Sequence, residues 1–115
     1  MTDVEFARAF ERGAVPNAEF HHRDHLRVAW VYLDEASSIG EATARMAASL
    51  RRFAANAGKP EKYSDAITEF FMRELAAARE AMPGADLGEV LRAHPRLLDK
   101  SAADKSAAGS LSKPR

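Results

Sequence analysis

Residues 20–33 read FHHRDHLRVAWVYL. Leu26, Ala29, Trp30 and Leu33 recur at the i, i+3, i+4, i+7 spacing that puts one apolar stripe on an α-helix. Val28 and Val31 widen the stripe, so the helix is expected to be covered on more than one side. Just ahead of it stand His21, His22 and His25, three of the four histidines in the chain. Two readings of its start are open. If Asp24 is the N-cap, its short carboxylate closes a helix that begins at His25. If residues 21–25 are already helical, His22 and His25 lie three apart on one face and His21 and His25 four apart.

The same period extends in both directions. Thr2-Asp3-Val4-Glu5 has capping-box spacing, Phe6 and Phe10 follow four apart, and Gly13 supplies a left-handed stop, which predicts a first helix over about 3–12. Ser38-Ile39-Gly40-Glu41 repeats the capping pattern. It opens a helix carrying Ile39, Ala42, Met46, Leu50, Phe53 and Ala57 on its inner face, closed by Gly58. A fourth helix is expected from Tyr63 or Ser64 to about Met82, with Ile67, Phe71, Leu75 and Ala78 inside and Pro83-Gly84 after it. Asp86 caps a short fifth helix through Leu87, Val90 and Leu91, and Pro95 can start one more turn to Leu98.

No strand-like alternation of useful length interrupts this. The reading is all-α: a compact bundle of four to five helices over residues 1–100, with residues 101–115 a flexible C-terminal tail. That last stretch, SAADKSAAGSLSKPR, holds one leucine and no other large apolar side chain to offset the entropy of ordering it.

Composition bounds the function. Lys+Arg and Asp+Glu are each 17, which gives no broad basic surface for nucleic acid or an anionic membrane. No apolar run is long enough to span a bilayer, and the N-terminal residues lack a secretory apolar core. With no cysteine there are no disulfides, thiolate nucleophiles or Cys-bearing zinc sites, and a cytoplasmic setting is the expectation. Alanine supplies 24 of the apolar residues, so the core is thin for the length and a homodimer is one expected consequence.

Imidazole binds transition metals and carries protons near neutral pH. The pattern H-E-x-x-H would mark a metalloprotease, but its second position here is His22. A metal held by His22 and His25 needs a further ligand, and Asp24, Asp65, Glu69 and His94 are candidates that no spacing selects. The plain alternative is a helix entrance whose histidines bond to backbone or water. Trp30 lies on the Leu26 face and reads as core or as a pocket wall. Tyr32 falls off the stripe and is expected to reach solvent or a groove. Arg23, Arg27, Arg51 and Arg52 could gather an anion, but such residues are usually solvated helix faces.

The stretch resembles a motif of small bacterial helical proteins of uncharacterised function, F-x-H-x-x-H-L-x-x-A-W-x-Y-L. Two further blocks keep the order. Lys62-Tyr63-Ser64-Asp65-Ala66-Ile67-Thr68 is similar to K-Y-H-E-T-(I/L)-T, and His94-Pro95-Arg96-Leu97-Leu98-Asp99 matches H-P-x-L-L-D. The resemblance spans roughly residues 20–99. It implies that the histidine pair of the motif is His22 and His25, with His21 an incidental neighbour. It also implies that a third histidine from the fourth helix is replaced by Ser64, beside the acid Asp65. Such proteins continue past the third block with an aromatic-containing helical segment, where this chain has its Ser/Ala/Lys tail, and an apolar groove would be left for a partner or a second copy.

The resulting expectation is a small-molecule pocket between the second and fourth helices. His22, His25 and Asp65 would be its acid–base or catalytic groups, and Trp30, Tyr63 and Ser64 its ligand-binding ones. A non-catalytic interaction or self-associating domain is the alternative, and a divalent-metal bundle on His22 and His25 a third. No cofactor is assigned.

Overall fold

The computed structural model describes residues 1–103. Five α-helices run in order: α1 (Asp3–Glu11), α2 (His22–Glu35), α3 (Ile39–Asn56), α4 (Asp65–Ala81) and α5 (Leu87–Ala93). Short 3-10 turns at Asn17–Glu19, Pro60–Lys62 and Pro95–Leu98 join or follow them, and no strand occurs among the described residues.

Local chemistry sets the boundaries. The Thr2 hydroxyl accepts from the Glu5 N–H at 3.1 Å while the Glu5 carboxylate accepts from the Thr2 N–H at 2.7 Å, a reciprocal cap on α1. Asp86 and Glu89 close the same pair of bonds on α5. At α3 only half of the expected box forms. Ser38 Oγ accepts from the Glu41 N–H, but the Glu41 carboxylate turns to the backbone and hydroxyl of Ser37. Gly13 and Gly58, each at φ +74°, take the left-handed turns that end α1 and α3, where a Cβ would be strained.

α2 packs against α1, α3 and α4, and α3 packs against α1 and α4 as well. Phe6, Phe10, Phe20, Leu26, Val28, Val31, Met46, Met72, Leu75, Val90 and Leu91 form one buried cluster, in which each large side chain contributes about 1.5–3 kcal/mol of burial. Ala7, Ala29, Ala42 and Ala78 sit in the same cluster and let the helices approach closely. Phe10 stacks on Phe20 at 4.4 Å between ring centres, and Phe53 of α3 tilts against both.

Packing extends past residue 100. Ala102 and Ala103 are buried against Phe71 of α4, so the expected tail boundary at 101 is too early. The expected tail from 104 onward lies outside the described residues. Among the described residues no helix is long and apolar enough to cross a membrane.

Candidate functional site

The start of α2 settles which histidines face each other. His21 is the N-cap residue and Asp24 is not: Asp24 lies at the third helical position, where its carboxylate accepts from the His21 N–H at 3.0 Å. Aspartate is favoured at both places, the second because its charge meets the positive end of the helix dipole. The helix therefore begins at His22, and His22 and His25 lie one turn apart with ring centres 6.1 Å from each other.

Their environments differ. His22 Nε2 lies 2.8 Å from the Leu97 carbonyl oxygen, and the ring meets Phe71 edge-on at 4.7 Å. The His25 ring is stacked on Phe20 at 4.5 Å and makes no hydrogen bond to any described residue. Burial pushes its pKa down to about 4, helped by the nearby His22 and opposed by Asp24, so the ring is neutral at pH 7. Among the described residues no fully enclosed side-chain nitrogen or oxygen lacks a partner. The unpaired nitrogens of His25 therefore look onto open space.

That space is a cleft of about 540 Å³ between α2, α3 and α4. Phe20, Leu26, Ala29, Met46, Leu50, Phe53, Ile67, Phe71 and Met72 make its apolar surface. His21, His22, His25, Tyr63, Ser64 and Thr68 supply neutral polar groups, Asn17 stands at the edge, and Lys59, Lys62 and Lys100 are the charged ones. No Asp or Glu lines it. Its volume lies within the roughly 300–1,000 Å³ range of ligand pockets in general.

Of the residues expected at a site, the structure brings His22, His25, Tyr63 and Ser64 to this cleft and leaves two out. Asp65 does not line it. Its carboxylate points to the surface, where it accepts from Arg51 at 2.7 Å and from the Tyr63 hydroxyl at 2.6 Å. Trp30 does not line it either: Arg79 lies 4.9 Å over its ring and is ion-paired with Asp34. The indole faces away because α2 offers a different side to each neighbour. Ser64 caps α4, with its Oγ accepting from the Ile67 N–H at 3.2 Å. Burial and the bond to Asp65 raise the pKa of Tyr63. For a metal, no three His, Asp or Glu side chains come together among the described residues. His22 and His25 thus lack the further ligand that Asp24, Asp65, Glu69 or His94 was a candidate to supply.

Tyr32 reverses its expectation. It is fully buried rather than turned to solvent or a groove. Its hydroxyl donates to Glu11 at 2.7 Å and lies 2.9 Å from Ser49 Oγ, while Arg45 covers the ring at 4.3 Å. Since a phenol has one proton, Ser49 donates to Tyr32 and Arg52 in turn donates to Ser49 at 3.4 Å. Arg8 and Arg45 bridge Glu11 and Glu35 around this chain of bonds. Burial and the Glu11 carboxylate push Tyr32 up to about 12. Burial alone would raise Glu11, but the bonds from Tyr32 and Arg8 outweigh it and hold the carboxyl below its usual range. These groups join α1, α2 and α3, and none of them lines the cleft.

The lysines were missed by sequence reasoning. Lys62 opens the second motif block but Lys59 and Lys100 belong to none, and only the fold sets the α3–α4 connection and the segment after Leu98 along one cleft. Comparison with protein-family models, with curated proteins and with solved structures finds no match for this chain.

Proposed function

We propose that this chain binds a small, largely apolar molecule in the α2–α3–α4 cleft, with His25 as the polar group that meets it. The supporting observation is the His25 ring, a neutral imidazole stacked on Phe20 with no side-chain hydrogen bond among the described residues, set in an apolar wall. Such a ring can donate from one nitrogen and accept at the other, so it orients a ligand without the cost of burying a charge. A general acid or base works best when its pKa is near the working pH. An imidazole that titrates near 4 is neutral at pH 7 and weakly basic, so this reading is of a binding protein before it is of an enzyme.

The alternative, an apolar face for a partner or a second copy, draws less support. The large exposed apolar residues among those described are Met1, Val4, Ile39, Ile67 and Leu98, which come from separate parts of the chain. The binding reading is tested with the neutral dye N-phenyl-1-naphthylamine. The wild type is expected to give saturable 1:1 fluorescence enhancement. Ala54→Trp, which fills the cleft from a half-buried position on α3, is expected to abolish it with unchanged circular dichroism. Equal enhancement in both proteins, or none in the wild type, would refute the reading.

A further inference from the structure

The charged residues of this chain are used unevenly. Arg8, Arg27, Arg45, Arg51, Arg79 and Arg96 each lie in an ion pair with Asp or Glu. Lys59, Lys62 and Lys100 are exposed, all three line the cleft, and none is ion-paired among the described residues. No carboxylate lines the cleft to balance them. In a chain with zero formal net charge, the residues that line this cleft thus include three lysines and no acid.

We propose that the cleft takes a small monocarboxylate with an apolar body, an alkanoate or arylalkanoate, its body against Phe20, Leu50, Phe53 and Phe71 and its carboxylate among the three lysines. This rests on the binding reading above and adds the charge and class of the ligand.

Three features argue for a monoanion over a phosphate ester. Phosphate is usually held by backbone N–H groups at a helix start or by the planar fork of arginine. The two helix starts beside this cleft already carry an acid in the first turn, Asp24 on α2 and Asp65 on α4. Arg51, which lies over the ring of the cleft residue Tyr63, is engaged by Asp65. What remains is flexible lysine ammonium, a point charge that suits one carboxylate at the water boundary while the lysine stems cover apolar surface. The attraction acts through solvent and so weakens with salt.

The test is calorimetric titration of the full chain at pH 7.5 with octanoate, octanol, octylammonium and octyl phosphate, each below its aggregation limit. Octanoate is expected to bind at least tenfold more tightly than octanol, and octylammonium more weakly still. Octanoate affinity should fall several-fold between 50 mM and 500 mM salt, with octanol unaffected. The triple substitution Lys59→Glu, Lys62→Glu, Lys100→Glu changes only exposed side chains. It should keep octanol binding and reverse the preference between octanoate and octylammonium. Octanol binding as tightly as octanoate, with the triple variant unchanged, would overturn the charge assignment and leave the cleft reading standing. Tighter binding of octyl phosphate would overturn the carboxylate assignment. Binding of none of the four would bring down both.

Discussion

His22 and Leu97 are joined across the fold, with Nε2 of the ring 2.8 Å from the carbonyl oxygen. A carbonyl oxygen only accepts, so Nε2 carries the proton and, in the neutral ring, Nδ1 is left as the acceptor. The bond ties the first turn of α2 to the last 3-10 turn. His22→Ala should lower stability by about 1 kcal/mol, the usual worth of one such bond. Urea denaturation should show the midpoint falling at constant slope. Amide exchange should quicken over residues 97–102 and stay unchanged in α3. A nitrogen NMR spectrum with the proton on Nδ1 would contradict the assignment.

His25 gives the fold a defined acid sensitivity. The folded ring titrates at about 4 and the unfolded one at its ordinary value of 6.5, so between these the unfolded chain binds more protons. Stability from this group is complete above pH 6.5, declines as pH falls toward 4, and changes no further below that. The loss is at most about 3 kcal/mol, less in proportion to the solvent the cleft admits to the ring. Glu11 and Glu35 are held below their usual range, so their contributions are lost at lower pH than an ordinary glutamate's. Urea midpoints from pH 8 to 4 should show the decline in the wild type and a much flatter profile in His25→Gln. Parallel profiles would contradict it.

Tyr32→Phe removes one hydroxyl from the middle of a bonded series. Ser49, which is buried, then loses its acceptor, and Glu11 loses a donor. The expected cost is about 1–2 kcal/mol, because the groups left behind are shielded from water. The Glu11 carboxyl should titrate higher in the variant by NMR. A double-mutant cycle with Glu11→Gln should give a coupling of at least ~0.5 kcal/mol, and additive effects would mean that the pair does not act together.

Asp65 and Trp30 supply the opposite kind of test, since neither lines the cleft. Asp65→Asn should change stability by less than about 0.5 kcal/mol, as expected for an exposed ion pair. Both Asp65→Asn and Trp30→Phe should bind N-phenyl-1-naphthylamine with nearly wild-type affinity. A tenfold loss in either, with folding intact, would return that residue to the site.

The helices were readable because each is bounded by chemistry that acts within four residues: Thr2 with Glu5, Ser38 with Glu41, Asp86 with Glu89, and glycine at 13 and 58. The histidine pair was readable for the same reason, except for its register. Asp24 suits an N-cap as well as a third position, and only the bond to His21 separates the two. What periodicity could not reach depends on a third element. Tyr32 lies off the apolar stripe of α2, yet Glu11 at the end of α1 and Ser49 on α3 make a polar socket for it. Trp30 lies on the stripe, yet its ring belongs to the side covered by Arg79 of α4. The lysines come from segments that meet only in three dimensions.

The reach of His22 to Leu97 also orders events in time. A chain made from its N-terminus gains α2, α3 and α4, and with them most of the hollow, before residue 97 exists. Lys100 follows Leu97 by three residues and can reach the cleft only once that part of the chain has been made. The proposed site thus joins groups near residue 22 to residues near position 100, and during synthesis it would be complete only after the later ones have emerged.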